Sequence, residues 1–87
     1  MVKDRLSVTI KNQEKIIFQG QAKALTSEND KGVFDILHRH ANFISLIKNK
    51  IVVLKEEGTK ETFQIHSGLM RVWKNQIQVY LDIASPL

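Results

Sequence analysis

The chain has 87 residues, of which 43% are hydrophobic and 25% charged, and its formal net charge is +4. This length predicts one domain over residues 1–87 with a modest core, because a chain of this size buries only about 60% of the surface that it exposes when unfolded. The composition is typical of a soluble globular protein and argues against disorder. Cysteine is absent, which excludes disulfides and thiolate chemistry.

The N-terminal residues precede a strand pattern, so no secretory leader is expected. No segment approaches the roughly 18 consecutive apolar residues of a membrane-spanning helix. Lysines are scattered along the whole sequence, which is typical of a solvated surface, although a pI of about 9.6 also fits an acidic partner.

In chain order, residues 6–10 alternate apolar and polar side chains, which predicts a first strand, and residues 11–13 offer a turn. A second strand is expected over residues 16–24, where the apolar and small residues share one parity. Residues 26–32 are predicted to be a polar loop that ends in a glycine. Residues 33–37 then form a short strand.

A polar interruption at His38, Arg39 and His40 follows. Residues 42–47 could be a strand or one helical turn, and strand is favoured. Gly68 is expected to break the strand pattern between residues 66 and 69. Four further strands are predicted, at residues 51–54, 62–66, 69–73 and 77–83. About eight short strands separated by turn residues indicate an all-β fold, a sandwich or a barrel.

Residues 32–46 carry the most informative pattern, GVFDILHRHANFISL. This stretch resembles the Gly-x-Phe-Gly-Ile-Leu-Pro-Gly-His-Ala-Pro-Leu segment of the ε subunit of F-type ATP synthases, and His40 matches the histidine of that segment. We call residues 38–42 the elbow. Three further stretches resemble the same family in the right order and spacing: residues 17–22, 67–72 and 77–84.

The resemblance implies an antiparallel β-sandwich, for which about eight to ten short strands are expected. It also implies a non-catalytic central-stalk subunit of an F1Fo ATP synthase. Such a subunit binds the γ subunit and the c-ring, and so couples ion translocation to ATP synthesis. It lies peripherally on the cytoplasmic face of the bacterial plasma membrane within the F1 sector. Neither a cofactor nor a small-molecule substrate is implied.

On the same resemblance, five residues are expected at the junction with the γ subunit and the c-ring: Val33, Asp35, His38, Arg39 and His40. The chain departs from the family's Gly, Pro, Gly and Pro at four positions: Asp35, His38, Arg39 and Asn42. The elbow is therefore more polar and has no proline to fix its backbone. Val33 replaces a residue that is often acidic in the family.

The sequence ends at Leu87, whereas family members commonly continue into a C-terminal helical hairpin that inhibits ATP hydrolysis and in some members binds ATP. Neither activity is expected of these residues. A naturally short subunit and a part of a longer one both fit this sequence.

The candidate chemical sites in this sequence also have structural interpretations. His38 and His40 would point to the same side of a strand, but a zinc site needs three or four ligands, and His66 is distant in sequence. Trp73 and Tyr80 could pair across a turn. Two other functions remain as alternatives: a small basic β-barrel that binds single-stranded nucleic acid, and an enzyme or ligand-binding domain.

Overall fold

Seven β-strands joined by short turns make up the computed structural model, which describes residues 5–81. Residues 5–81 contain no candidate membrane-spanning helix. The strands are β1 (Leu6–Lys11), β2 (Ile16–Ala22), β3 (Ala24–Asn29), β4 (Gly32–Leu37), β5 (Phe43–Leu54), β6 (Lys60–Trp73) and β7 (Gln76–Leu81).

The strands are hydrogen-bonded in the order β2-β1-β7-β6-β5-β3-β4. All neighbouring pairs are antiparallel except β1 and β7, which run parallel. The long strands β5 and β6 belong to two layers. The first layer consists of β2, β1 and β7 together with residues 67–73 of β6 and 43–48 of β5. The second layer consists of β4 and β3 together with residues 49–54 of β5 and 60–65 of β6. The predicted β-sandwich class is confirmed.

A β-bulge marks the point where β5 and β6 pass between the layers. Lys48 pairs with Ser67, but Asn49 pairs with Ile65, so His66 is an extra residue on β6. Asn49 has a φ of 72°, in the left-handed region that asparagine tolerates better than most residues. Bulges bend a strand and increase its twist, which allows one strand pair to serve both layers.

The inner faces of the two layers enclose a single apolar core. The burial of side chains alternates along each strand, as it does in β1, where Leu6, Val8 and Ile10 are buried. Phenylalanine rings contact one another between strands that are not sheet neighbours. The ring centroids of Phe18 and Phe63 are 5.8 Å apart, and those of Phe34 and Phe43 are 5.6 Å apart. The buried apolar residues are Leu6, Val8, Ile10, Ala22, Leu25, Ile36, Ile47, Ile51, Val53, Met70, Val72, Ile77, Val79 and Leu81.

Several strand boundaries differ from those predicted. One strand, β5, contains both predicted strands at residues 42–47 and 51–54, although residue 42 precedes its start. Another, β6, contains both predicted strands at residues 62–66 and 69–73. Gly68 therefore does not break β6. It is buried and pairs with both Ile47 and Leu81, so its lack of a side chain serves close packing. The predicted strand over residues 77–83 extends beyond Leu81 into residues 82 and 83, which lie outside the described residues.

The prediction of a polar loop at residues 26–32 is wrong, because β3 continues to Asn29. Only residues 30 and 31 form a turn before β4 begins at Gly32. Its polar residues alternate in burial, and Ser27 is fully buried. The Ser27 hydroxyl donates a hydrogen bond of 2.7 Å to the carbonyl of Lys50, which satisfies the buried group. Polar residues in the sequence therefore do not exclude a strand, because a serine that points inward can be buried when its hydroxyl has a hydrogen-bond acceptor.

We expect Gly68→Ala to destabilise the domain by about 1–3 kcal/mol, as overpacking does. A Cβ at Gly68 would lie 2.9 Å from Leu81 Cδ2 and 3.0 Å from the Tyr80 carbonyl oxygen. Gly20→Ala is the matched control, because a Cβ there meets nothing closer than 3.4 Å. Urea unfolding of both variants provides the measurement, and equal stability would contradict this account of Gly68.

Candidate interaction site

The elbow carries the chain from the second layer to the first. It follows β4, which is an edge strand that pairs only with β3 among the described residues. The amide of His40 donates to the carbonyl of Leu37 at 3.1 Å, which closes a tight turn. Arg39 within this turn has a φ of 65°, a conformation that is uncommon for a residue other than glycine.

Two asparagine side chains tie the elbow to the turn between β6 and β7. The amide of Arg39 donates to Asn75 Oδ1 at 2.5 Å, and the amide of Lys74 donates to Asn42 Oδ1 at 3.1 Å. Lys74 and Asn75 have φ values of 47° and 64°, as the two-residue type I′ turns of β-hairpins require. The elbow is thus fixed without proline.

His40 lies against the start of β5. Its ring centroid is 5.6 Å from that of Phe43 in an edge-to-face arrangement. Its Nδ1 lies 2.7 Å from the carbonyl oxygen of Ala41, and because a carbonyl oxygen only accepts hydrogen bonds, the ring proton belongs on Nδ1 in this geometry. The ring is therefore held by packing and by one hydrogen bond.

The five predicted site residues do not form one cluster. Val33 and Asp35 are exposed and lie on the outer face of β4. The Asp35 carboxylate accepts a hydrogen bond of 2.6 Å from the Thr26 hydroxyl. The three elbow residues, His38, Arg39 and His40, follow at the opposite end of β4 from Val33. The strand rise of about 3.3 Å per residue separates Val33 from Leu37 by roughly 13 Å.

An exposed apolar surface beside the elbow was missed by the sequence reasoning. Ile44 and Leu46 on β5 are 66% and 74% exposed, and Trp73 on β6 is 47% exposed. Leu46 lies directly opposite Leu69, and Ile44 lies opposite Arg71. We call Ile44, Leu46, Leu69 and Trp73 the apolar patch. Clustered exposed apolar side chains of this kind mark interaction sites.

A sequence signal for the apolar patch does exist. Residues 43–47 are apolar at both parities except for Ser45, and a half-buried strand should alternate. The cross-strand pair considered for Trp73 and Tyr80 does not form, because Trp73 lies opposite Gln76 and Tyr80 opposite Leu69.

Charge is distributed unequally between the two layers. Within the described residues, no strand segment of the first layer contains an acidic side chain, while Lys11, Lys48 and Arg71 lie on it. The acidic strand residues belong to the second layer: Glu28, Asp35 and Glu61. The outer face of the first layer therefore combines an apolar centre with positive charge.

Two groups in and beside the turn between β5 and β6, far along these strands from the elbow, have shifted pKa values. The hydrogen bond from Lys55 to Glu61, at 2.8 Å, raises the pKa of Lys55. The backbone amide of Glu57 and the Thr59 hydroxyl lower the pKa of Glu57. Such shifts are typical of surface ion pairs and capped turns. Within residues 5–81, no group of three histidine or carboxylate side chains is placed to hold a metal ion.

A two-layer β-sandwich with an exposed apolar patch beside a polar elbow is the architecture of an interaction domain. Residues 5–86 match the family described as ATP synthase, Delta/Epsilon chain, beta-sandwich domain. The chain therefore belongs to this family.

Among its relatives is the ATP synthase epsilon chain of a Nitratiruptor species, which is 34% identical over 85 residues that cover 97% of this chain and 66% of the relative. The ATP synthase epsilon chain of Myxococcus xanthus is 29% identical over 83 residues, 95% of this chain and 61% of the relative. The chain thus spans slightly less than two thirds of the length of these relatives.

Two solved structures share the fold. One is from the Euglena gracilis mitochondrial ATP synthase assembly of OSCP, F1 and c-ring, with a TM-score of 0.86 and 20% identity over 99% of this chain and 56% of that chain. The other is from the central stalk and c-ring of the Tetrahymena thermophila mitochondrial ATP synthase, with a TM-score of 0.69 and 15% identity over 93% of this chain and 66% of that chain. At these identities the likeness establishes the fold alone.

If the apolar patch faces solvent in the isolated domain, its replacement should leave folding almost unchanged. We expect Ile44→Ser with Leu46→Ser to alter the free energy of unfolding by no more than about 0.5 kcal/mol per site. Ile47→Ala, at the buried residue between the layers, should cost about 2–5 kcal/mol. Urea unfolding of both proteins provides the measurement, and a comparable loss in the two would show that the patch is part of the core.

Proposed function

We propose that the chain is a non-catalytic subunit of the central stalk of a rotary ATP synthase, and that it binds the γ subunit and the c-ring. Its membership of the delta/epsilon family supports this role, as do the names of its relatives. In this role it couples ion translocation to ATP synthesis at other subunits. It acts at the membrane surface as part of the F1 sector, without a cofactor or substrate of its own.

The continuity of the apolar patch with the elbow is the observation that carries the proposal. Ile44 lies two residues beyond Asn42, and Trp73 directly precedes the turn residue Lys74, whose amide bonds to Asn42. An apolar centre bordered by polar groups is the usual arrangement of a protein–protein interface. We assign this surface, including Arg39 and His40, to the γ subunit.

The outer edge of β4 is the counterpart for the c-ring. Val33 is 59% exposed and Leu37 is 55% exposed, with the Asp35 carboxylate between them on the same face. An edge strand with exposed side chains offers both apolar area and backbone groups to a partner. We assign Val33 and Asp35 to this contact, with His38, the first residue of the elbow, at its end.

The charge of the first layer defines the chemistry of its partner surface. Lys48 is paired with Asp30 at 3.2 Å, which leaves Lys11 and Arg71 as the positive charges beside the apolar patch. We infer a complementary surface on the γ subunit that is apolar at its centre and acidic at its rim. Charged rim residues chiefly raise the rate of association and its dependence on salt.

Binding to the γ subunit encoded in the same genome tests the proposal. We expect a one-to-one complex in size-exclusion chromatography at physiological salt. Ile44→Ser with Leu46→Ser should weaken the complex at least about tenfold, because the few residues whose truncation costs more than about 1 kcal/mol cluster near the centre of an interface. Ile16→Ser is the matched control, since Ile16 is an equally apolar residue, 53% exposed, on the opposite edge strand β2. Equal weakening by the control would remove the assignment of the patch.

Removal of the Arg39 and His40 side chains is a separate test. We expect Arg39→Ala with His40→Ala to weaken assembly, mainly through slower association, while thermal stability stays near that of the unmodified chain. Parallel losses of stability and assembly would instead assign these side chains to the fold.

The alternative of a nucleic-acid-binding barrel predicts a different result. A basic domain of that kind binds a fluorescent single-stranded oligonucleotide with an affinity that falls steeply as salt is raised. We expect no such binding. Oligonucleotide binding without a γ complex would replace the proposed function.

A further inference from the structure

We propose that Asn42 and Asn75 form a reciprocal clamp that positions the elbow for binding. Each asparagine caps the backbone of the other's turn: Asn75 Oδ1 accepts from the Arg39 amide, and Asn42 Oδ1 accepts from the Lys74 amide. They are positioning residues, because they act through the backbone that presents Arg39 and His40. This inference rests on the proposed function only in what the elbow binds.

The backbone of the elbow needs such support. Arg39 has a φ of 65°, and non-glycine residues in this region carry strain, so they persist only where their surroundings determine the conformation. The bond within the elbow, from the His40 amide to the Leu37 carbonyl, leaves the Arg39 amide pointing toward the neighbouring turn. Asn75 supplies the acceptor for that amide.

The partner turn is itself anchored to the sheet. The carbonyl of Asn75 accepts a hydrogen bond of 2.9 Å from the amide of Ser7 at the start of β1. Trp73 and Gln76 pair on either side of the turn. Asn75 therefore joins three segments, β1, the β6–β7 turn and the elbow, and it transfers the rigidity of the first layer to a loop that leaves the second.

Amide hydrogen exchange in the 87-residue chain tests the clamp without any partner. Asn75→Gly keeps the φ of 64° accessible and removes only the side-chain acceptor. We expect the Arg39 amide to exchange about tenfold faster, as the loss of one net hydrogen bond implies. Asn42→Ala should accelerate hydrogen exchange at the Lys74 amide in the same way. Asn75→Asp, which retains an acceptor oxygen, should restore slow exchange at Arg39.

Asn12→Ala is the matched control. The Asn12 side chain also caps a turn, accepting from the amides of Glu14 and Lys15 at 2.8 and 2.9 Å, but this turn follows the other end of β1. We expect it to leave exchange at Arg39 and Lys74 unchanged. Unchanged exchange at Arg39 in a folded Asn75→Gly variant would overturn the clamp.

Binding kinetics test what the clamp is for. We expect Asn75→Gly to speed dissociation of the γ subunit several-fold, with Asn75→Asp close to the unmodified chain and Asn12→Ala without effect. Faster exchange with unchanged dissociation would overturn the positioning role. If the unmodified chain fails to bind the γ subunit, the proposed function fails, while the exchange measurements still decide the clamp.

Discussion

The two-layer body depends on one long hydrogen-bonded pair, β5 with β6, which serves both layers. The pair stays in register on each side of the bulge at His66, and it changes direction there. Gly68, just beyond the bulge, allows Leu81 and the Tyr80 carbonyl to approach the β6 backbone closely. Without this bend the inner faces of the strands could not close over a shared core, and the remaining strands would have no second layer to cover them.

The exposed surface follows from the same geometry. In the part of β5 that belongs to the first layer, residues 43–48, the side chains of Phe43 and Ile47 point inward and pack toward the core. Ile44 and Leu46 must then point outward, however apolar they are, because side chains alternate along a strand. The apolar patch is therefore not a packing defect. It is the outer face of a strand whose sequence is apolar at both parities, which is reasonable where another protein covers that face.

Periodicity in the sequence was sufficient for the all-β class and for the cores of most strands, because each strand is a local pattern. It failed where the outcome depends on a distant partner. Ser27 has the polarity of a loop residue, and only the Lys50 carbonyl that its hydroxyl meets explains its place in a strand. Gly68 likewise has the pattern of a break, although Ile47 and Leu81 pack around it. The resemblance placed the elbow but could not place Asn75, whose contact with Arg39 spans 36 residues of sequence.

In the proposed role, one small domain holds two partners in a fixed relation, and the elbow lies between the two assigned surfaces. The surface assigned to the γ subunit lies on the first layer, and that assigned to the c-ring lies on β4 in the second. A torque passing between them has three routes, through the β5–β6 pair, through the core and through the elbow. The core resists shear because its side chains are closely packed. A loop without proline lacks a covalent restraint on its backbone, and the hydrogen bonds of the two asparagines restrain it instead.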